Sequence, residues 1–487
     1  MIVKRSPSIQ IEAPQKSQNL SMRLKMTQMK KKKKKSNPNE GKLANSFAPN
    51  IQNLKSQQKK RKKSVAMTIK DNLFNQIISK RQKFNEKSVL PHPICKGKSV
   101  LDNNTEQTDV DKALEIHFEE EIFMNILSTL PVQSLVQLKC VSKFWKTLIS
   151  DPYFKMKHLS HAKNDPNSQK LLLSQDSPYK HDMYTFCCSL SSAQLVEDEQ
   201  KLDCPLNFKP SGCRMYCCCN GLFFLGVYDG SYEHFLLWNP SIRESRVLPR
   251  PEYLNRCSTY GIGYDVTSDD YKILKIDGNV LDNCIMAYEV LELKSGSWRN
   301  IGKHPDGRIV MSSLWDPVMY PLAFVHGAFH WLSAYQYMTR SSYGCYVVSF
   351  TVSNEVYGEI PVLERMCYVS NSGTDQLGIS ELGGMICFHS THIHQGECTF
   401  KLWVMKDYGV KESWTELLTI KETGLFSVRP KYMFANGEVL LSCGRPQQYG
   451  TVFRTSTGPF GLWPQHYDTY QEGFAYTESL ISPKLLT

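Results

Sequence analysis

Asn220-Gly221-Leu222-Phe223-Phe224, His326-Gly327-Ala328-Phe329-His330-Trp331, Gly383-Gly384-Met385-Ile386-Cys387 and Asn436-Gly437-Glu438-Val439-Leu440 repeat one pattern. In each, a turn-forming pair that ends in glycine runs into a strand-like segment. Second strands follow the first three, at Leu237-Trp238, Val347-Val348 and Leu402-Trp403. From about residue 180 onward, short strand-like runs end at Gly, Asn, Asp or Pro: 221–227, 271–276, 286–293, 323–332, 345–352, 400–404 and 439–442. Roughly 300 residues of short antiparallel strands predict a barrel, sandwich or propeller. The repetition favours the propeller, in which each small sheet hides its faces against its neighbours. The spacing between units is too loose to count blades.

Upstream, residues 112–155 change to a helical rhythm. Ile122, Ile126, Leu127 and Leu130 form one apolar stripe, preceded by Glu119-Glu120-Glu121, which suit the positive end of a helix dipole. Pro131 breaks the pattern because it lacks an N–H and clashes with the preceding turn. Val132, Leu135 and Leu138 form a second stripe; Val141, Phe144, Trp145, Leu148 and Ile149 form a third, ended by Asp151-Pro152. Three short helices in about forty residues are too few to bury all their apolar faces alone. They must dock on the following domain or on another protein.

The first 110 residues are of another kind. They are rich in Lys, Ser, Gln and Asn and poor in aromatics, a composition that predicts disorder. They carry 25 Lys+Arg against 7 Asp+Glu, leaving 33 against 40 in the rest of the chain. The formal net charge of +11 therefore arises from a tail of +18 on a body of −7. A mildly acidic body is a poor nucleic-acid surface, so no specific nucleic acid is expected as a partner. Two basic runs, Lys30-Lys31-Lys32-Lys33-Lys34-Lys35 and Lys59-Lys60-Arg61-Lys62-Lys63, suit nuclear import. Leu73, Phe74, Ile77 and Ile78 have helical spacing without an assigned role. No stretch approaches the ~20 apolar residues of a membrane span. The first ten residues lack the apolar centre of a signal peptide. Nucleus and/or cytoplasm is the expected location, with no membrane partner.

Residues 118–154 resemble an F-box, through Ile126-Leu127, Leu130-Pro131, Cys140-Val141-Ser142-Lys143, Trp145, Leu148-Ile149 and Asp151-Pro152. In one departure, Phe118-Glu119 stands where the family usually opens with Leu-Pro. The β-region resembles the F-box-associated domain of the large plant F-box families, which is similar to kelch propellers. The matching residues include Leu237-Trp238-Asn239-Pro240-Ser241, Tyr260-Gly261-Ile262-Gly263-Tyr264-Asp265, Asp270-Tyr271-Lys272, Leu402-Trp403-Val404-Met405 and Glu412-Ser413-Trp414. Together the resemblances cover about three quarters of the chain and imply a layout: a disordered basic tail over 1–111, a small all-α F-box over 112–158, and an all-β propeller-like domain over 159–487.

The resemblance also implies a role. F-box helices pack against a Skp-type adaptor, which joins them to a cullin and its RING subunit in an SCF-type ubiquitin ligase. The chain would then be a non-catalytic substrate receptor that needs no cofactor, with the β-domain holding an unknown target protein. The implied adaptor contacts are Phe118, Ile122, Ile126, Leu127, Leu130, Pro131, Leu135, Val141, Trp145 and Leu148. Some of these must serve the motif's own small core, and periodicity cannot sort them. No residue is assigned to target binding. The alternative is an F-box-bearing nuclear scaffold acting outside a ligase.

Catalytic and metal motifs give little. There is no phosphate loop and no GxSxG nucleophile elbow. Gly261-Ile262-Gly263 lacks the third glycine of a dinucleotide loop. His326 and His330 have zinc-helix spacing, but they fall on a turn and a strand. His389, His392, His394, Glu397 and Cys398 are read as a polar hairpin and Asp269-Asp270 as a turn pair. The sixteen cysteines show no zinc spacing and are expected as buried thiols. No metal site is assigned.

Overall fold

The structure is a computed structural model. It describes residues 121–176, 183–190, 200–202, 212–230, 232–252, 258–277, 288–302, 309–310, 321–334, 345–366, 376–423, 425–445, 448–456 and 470–486. The chain divides into Met1–Asp102 and Asn103–Thr487. Both basic runs, the 73–78 segment and Phe118 lie outside the described residues.

Four helical segments come first: α1 over 121–127, α2 (Val132–Leu138), α3 (Lys143–Ser150) and α4 (Pro152–Asn164). The first three fall on the three apolar stripes. Ser142 caps α3, its Oγ accepting the Trp145 N–H at 3.2 Å. Asp151-Pro152 ends α3, and it also starts a helix that the sequence did not suggest. Asp151 Oδ1 accepts the Phe154 N–H at 3.1 Å, and Pro152 occupies the first turn, where a missing N–H has no cost. The boundary expected after residue 158 therefore falls inside α4.

Six sheets follow, arranged as the blades of a propeller. Blade 1 contains β1 (Gln169–Asp176), β2 (Met183–Ser189) and β3 (Gln200–Leu202). Blade 2 is β4 (Gly212–Cys219), β5 (Leu222–Tyr228), β6 (Glu233–Asn239) and β7 (Glu244–Leu248). Blade 3 is β8 (Ser258–Asp265), β9 (Asp270–Asp277), β10 (Tyr288–Glu292) and β11 (Ser297–Asn300). In blade 4, β12 (Ile309–Val310) and β13 (Ala323–Val325) both pair with β14 (Ala328–Ala334), followed by β15 (Cys345–Thr351) and β16 (Val356–Ile360). Blade 5 is β17 (Gln376–Leu382), β18 (Met385–His394), β19 (Glu397–Met405) and β20 (Trp414–Thr423). Blade 6 has β21 (Phe426–Met433), β22 (Val439–Arg445) and β23 (Gln448–Arg454). The last strand, β24 (Tyr470–Thr477), returns to pair antiparallel with β1, from Gln169↔Thr477 to Asp176↔Tyr470. Strands β4, β8, β13, β17, β21 and β24 line the centre, each packed beside the next, and the ring is closed.

Each blade interface has its own apolar cluster, which explains why the strands read as short continuous runs. On β9, Ile273 enters the cluster shared with blade 2, beside Tyr260, Phe224 and Leu237. Leu274, the next residue, enters the cluster shared with blade 4, beside Phe329 and Trp331. A strand buried on both faces loses the apolar-polar alternation of a half-exposed one. One contact recurs between outer strands. Trp298 Nε1 donates to the Pro249 carbonyl at 2.9 Å across blades 3 and 2, and Trp414 Nε1 donates to Pro361 at 2.7 Å across blades 5 and 4.

The repeated glycine pairs are the turns between first and second strands in blades 2, 4 and 5. Asn220-Gly221, His326-Gly327 and Gly383-Gly384 all place both residues at positive φ, the geometry that matches the twist of a two-residue hairpin. The run expected as one strand over 323–332 is therefore a hairpin broken at His326-Gly327. These turns lie at one end of the ring, with the β6–β7 turn and the end of β24. The helical unit packs there: Leu159 of α4 joins Leu222 and Phe224 of blade 2 in one cluster. The β5–β6 turn lies at the far end.

Gly221 is doubly constrained. Its φ is +79°, and a Cβ would sit 2.7 Å from Ser479 Oγ and 2.8 Å from the Thr477 carbonyl oxygen. Gly437 has φ +85° but open space around it. In thermal and denaturant unfolding, Gly437→Ala should cost about 1–2 kcal/mol from backbone strain. Gly221→Ala should cost at least ~1 kcal/mol more from overpacking. Equal losses would refute the close approach.

Candidate functional site

The helical unit has an internal core and an uncovered apolar face. Leu127, Val132, Leu135, Leu148, Ile149 and Phe154 are buried together with Leu480 from the chain's C-terminal segment. Leu127, Leu135 and Leu148 are 0–3 % exposed, so they hold the unit together and do not present side chains to a partner. The sequence placed these three among the adaptor contacts; in the structure they lie in the unit's own core. In a unit this small, half of each helical stripe is needed for its own core.

The remaining candidates reach the surface to different degrees. Pro131 and Val141 are exposed, Val141 at 56 %, while Ile122, Ile126, Leu130 and Trp145 are half-buried. Phe144, absent from the assigned set, is 48 % exposed. It stands in a triangle of edge-on rings with Phe123 and Trp145, with centroids 5.2–6.2 Å apart. Such ring pairs add stability beyond area burial and keep the aromatic face in place. The signal for Phe144 lay in the third stripe; nothing in the stripes singled out Phe123.

The surroundings of this face are basic. Lys143 and Lys146 are exposed on α3, and Lys139 and Lys155 are partly buried. Burial lowers the pKa of both Lys139 and Lys155. Lys155 lowers that of Lys139 further, and Glu244 raises both. The turn beneath is held by His158, whose Nε2 lies 3.0 Å from the Leu130 carbonyl. Burial keeps this imidazole toward its neutral form. An apolar aromatic face with a rim of lysines suits a partner that offers an apolar groove and acidic edges.

The other candidate clusters resolve as structure. His330 is fully buried with Nε2 2.7 Å from Tyr408 Oη, and burial lowers its pKa to about 4. His326 sits on the turn beside the same Tyr408 ring. His389 is buried on β18 with its pKa lowered to about 3, first by burial and then by Arg429 and Lys431. His394 pairs with Glu397 across the β18–β19 turn, so the segment expected as a polar hairpin loop is two paired strands joined by a short turn. Among the described residues no group of His, Cys, Asp and Glu side chains could hold a metal. Of the described cysteines five are buried, four are half-buried and Cys140 is exposed; desolvation pushes the thiols of the half-buried Cys218 and Cys219 up to about 12. No helix of the described residues is long and apolar enough to cross a membrane.

Comparison with known proteins gives the same two parts. Residues 119–157 match the F-box domain, and residues 177–457 match the F-box associated beta propeller domain. This chain belongs to the F-box associated beta propeller family. It is 26% identical over 390 residues to the F-box/kelch-repeat protein At3g23880 of Arabidopsis thaliana, covering 74% of this chain and 95% of that protein. It is 27% identical to F-box protein CPR1 of the same plant, covering 62% of this chain and 72% of the relative. Among solved structures, TolB from Acinetobacter baumannii aligns with a TM-score of 0.38 at 8% identity, covering 69% of this chain and 72% of TolB.

The division of the F-box into core and face has a measurable consequence. Leu135→Ala should destabilise the unit by about 2–5 kcal/mol, because it opens a cavity in a fully buried site. Phe144→Ala should cost less than about 1 kcal/mol, since half of the ring is already in water. Hydrogen exchange across Val132–Ala162 compares the two. A large loss of protection in Phe144→Ala would show that the ring belongs to the core.

Proposed function

We propose that this chain is a substrate-recognition subunit of an SCF-type cullin-RING ubiquitin ligase. The F-box binds a Skp-type adaptor, and through it a cullin and a RING subunit. The propeller binds the target protein. The observation that carries this reading is the uncovered face of Val141 and Phe144, edged by half-buried Trp145, on a helical unit whose core is packed without Val141 and Phe144. A solvent-facing aromatic cluster in a small domain calls for a partner. The chain contributes proximity and orientation, and bond-making groups belong to other subunits.

Target contact is assigned to the far end of the ring, away from the F-box. There the β5–β6 turn is fixed by Asp229, which accepts the Tyr232 N–H at 3.2 Å and meets His234 at 2.7 Å. The turn presents Tyr232, 61 % exposed, with the Arg250 guanidinium 5.7 Å from its ring centroid. Tyr and Arg dominate binding hot spots. The runs Lys30–Lys35 and Lys59–Lys63 are proposed as import signals, which makes the nucleus a working location beside the cytoplasm. A fluorescent fusion with both runs changed to alanine should lose nuclear enrichment, and unchanged enrichment would remove that assignment.

Adaptor binding by the full chain is the direct test. Wild type should bind a Skp-type adaptor tightly, and Val141→Asp/Phe144→Ala should lose at least ~2 kcal/mol, about thirtyfold, with the melt unchanged. If well-folded wild-type protein fails to bind, the ligase reading falls, attention passes to Phe118-Glu119, and a scaffold outside a ligase becomes the better account.

A further inference from the structure

Beside the direct packing of Leu159 against Leu222 and Phe224, and of Ile242 against the helical core, the F-box meets the propeller at two further places. The first is the chain itself. After α4, residues 165–168 turn tightly into β1: Asp165 Oδ1 accepts the Asn167 N–H at 3.1 Å, and Asp165 Oδ2 accepts from Ser168 Oγ at 2.9 Å. A single short connection leaves rotation about it free. The second place is made by the residues after the ring-closing strand.

That segment, 478–486, lies against both parts. Leu480 is 1 % exposed inside the F-box core. Ile481, the next residue, is 6 % exposed and joins Leu159, Leu222 and Phe224 in the blade 2–3 cluster. Between them the backbone is gripped by Asn239 at the end of β6, which is fully buried. Its Nδ2 is 3.0 Å from the Ser479 carbonyl oxygen, 3.1 Å from Ser479 Oγ and 2.9 Å from the Ile481 carbonyl oxygen. Its Oδ1 accepts the Ser241 N–H at 2.9 Å. Ser482 Oγ donates to Glu244, and Arg246 donates to the Leu486 carbonyl. On the other flank, Gln169 Nε2 donates to the Ala162 carbonyl of α4 at 2.8 Å, while its Oε1 accepts from Thr477 Oγ1 at 3.0 Å.

We propose that residues 478–486, clamped by Asn239, are a positioning element that sets the angle between the F-box and the propeller. Resting on the ligase reading above, this means that a target at the far end is held at one set position relative to the adaptor. Reaction between two bound partners depends steeply on their relative placement. Asn239 is a positioning residue: it acts through Ser479 and Ile481 and touches neither adaptor nor target.

The test uses the full chain, as wild type, as Asn239→Ala, and truncated after Glu478, which keeps β24 intact. Lysine cross-linking with mass spectrometry reads the arrangement of the two parts. Adaptor affinity and the melt of the propeller read their separate integrity. If the segment positions the F-box, both variants should gain links from the F-box lysines Lys143 and Lys146 to propeller lysines that the wild type does not reach. In Asn239→Ala, adaptor affinity should stay within about twofold and the melt within a few degrees. A cross-link pattern identical in all three proteins overturns the proposal. Loss of the propeller melt in Asn239→Ala would also overturn it, assigning Asn239 to fold stability alone. Failure of wild type to bind the adaptor would overturn the ligase reading while the cross-links still decide the joint.

Discussion

The antiparallel ladder between β1 and β24 joins the two ends of the propeller, and the rest of the molecule depends on it. A ring of sheets has no free interface once it closes, and one open interface if it does not. Here closure exchanges a strand between sequence extremes: three strands of blade 1 come early and the innermost comes last. Each blade is too small to bury its own faces, so stability is shared around the ring through neighbour contacts. Without the last strand, the clusters that flank blade 1 would lose Phe474, Tyr476 and Ala475.

Register within a blade is guarded by a polar feature inside the apolar ring. Lys275 is fully buried on β9, with Nζ 2.9–3.0 Å from Asp277 and 2.7 Å from Glu289, and Ser258 Oγ donates to Asp277 at 2.6 Å. Removing three charges from water is costly, and only close pairing offsets it. The side chain can be paired in this way because Lys275 stands opposite Glu289 on the adjacent strand. A shift of one residue between β9 and β10 would put Glu289 and Lys275 on opposite faces of the sheet and part that pair. The network therefore penalises the wrong register in a blade whose apolar residues, present on both faces, would specify register weakly.

How much of this was legible in the sequence differs by element. The glycine pairs at 220–221, 326–327 and 383–384 announced the propeller because a two-residue hairpin demands positive φ at both positions. Blade number was not legible, because the strand runs are unequal and closure comes from a strand some 300 residues away from its partner. In the F-box, the three stripes and their proline breaks were readable. The fourth helix was not, because Pro152 looks like a stop and acts as a start. The face and the core of the unit could not be told apart, since Leu135 and Val141 are equally apolar. What decides between them is tertiary packing: Leu135 lies in the cluster that Leu480 joins from beyond the propeller, and Val141 lies outside it. No periodicity within residues 112–158 could have indicated it.

That last contact orders events in time as well as in space. The F-box precedes the propeller in sequence, yet its core includes Leu480, which follows the ring-closing strand. A small helical unit that lacks one large buried residue has little stability to spare. Leu480 is carried to it by the same segment whose Ile481 enters the cluster beside blade 2 and whose backbone Asn239 holds. That placement in turn needs β24 paired in the ring, because Thr477 and Glu478 are anchored to Gln169 and Ser168. The face formed by Val141, Phe144 and Trp145 is thus firmly supported only in a chain whose propeller has closed. A receptor built this way couples the order of its docking face to completion of the domain that follows it, through contacts within the chain alone.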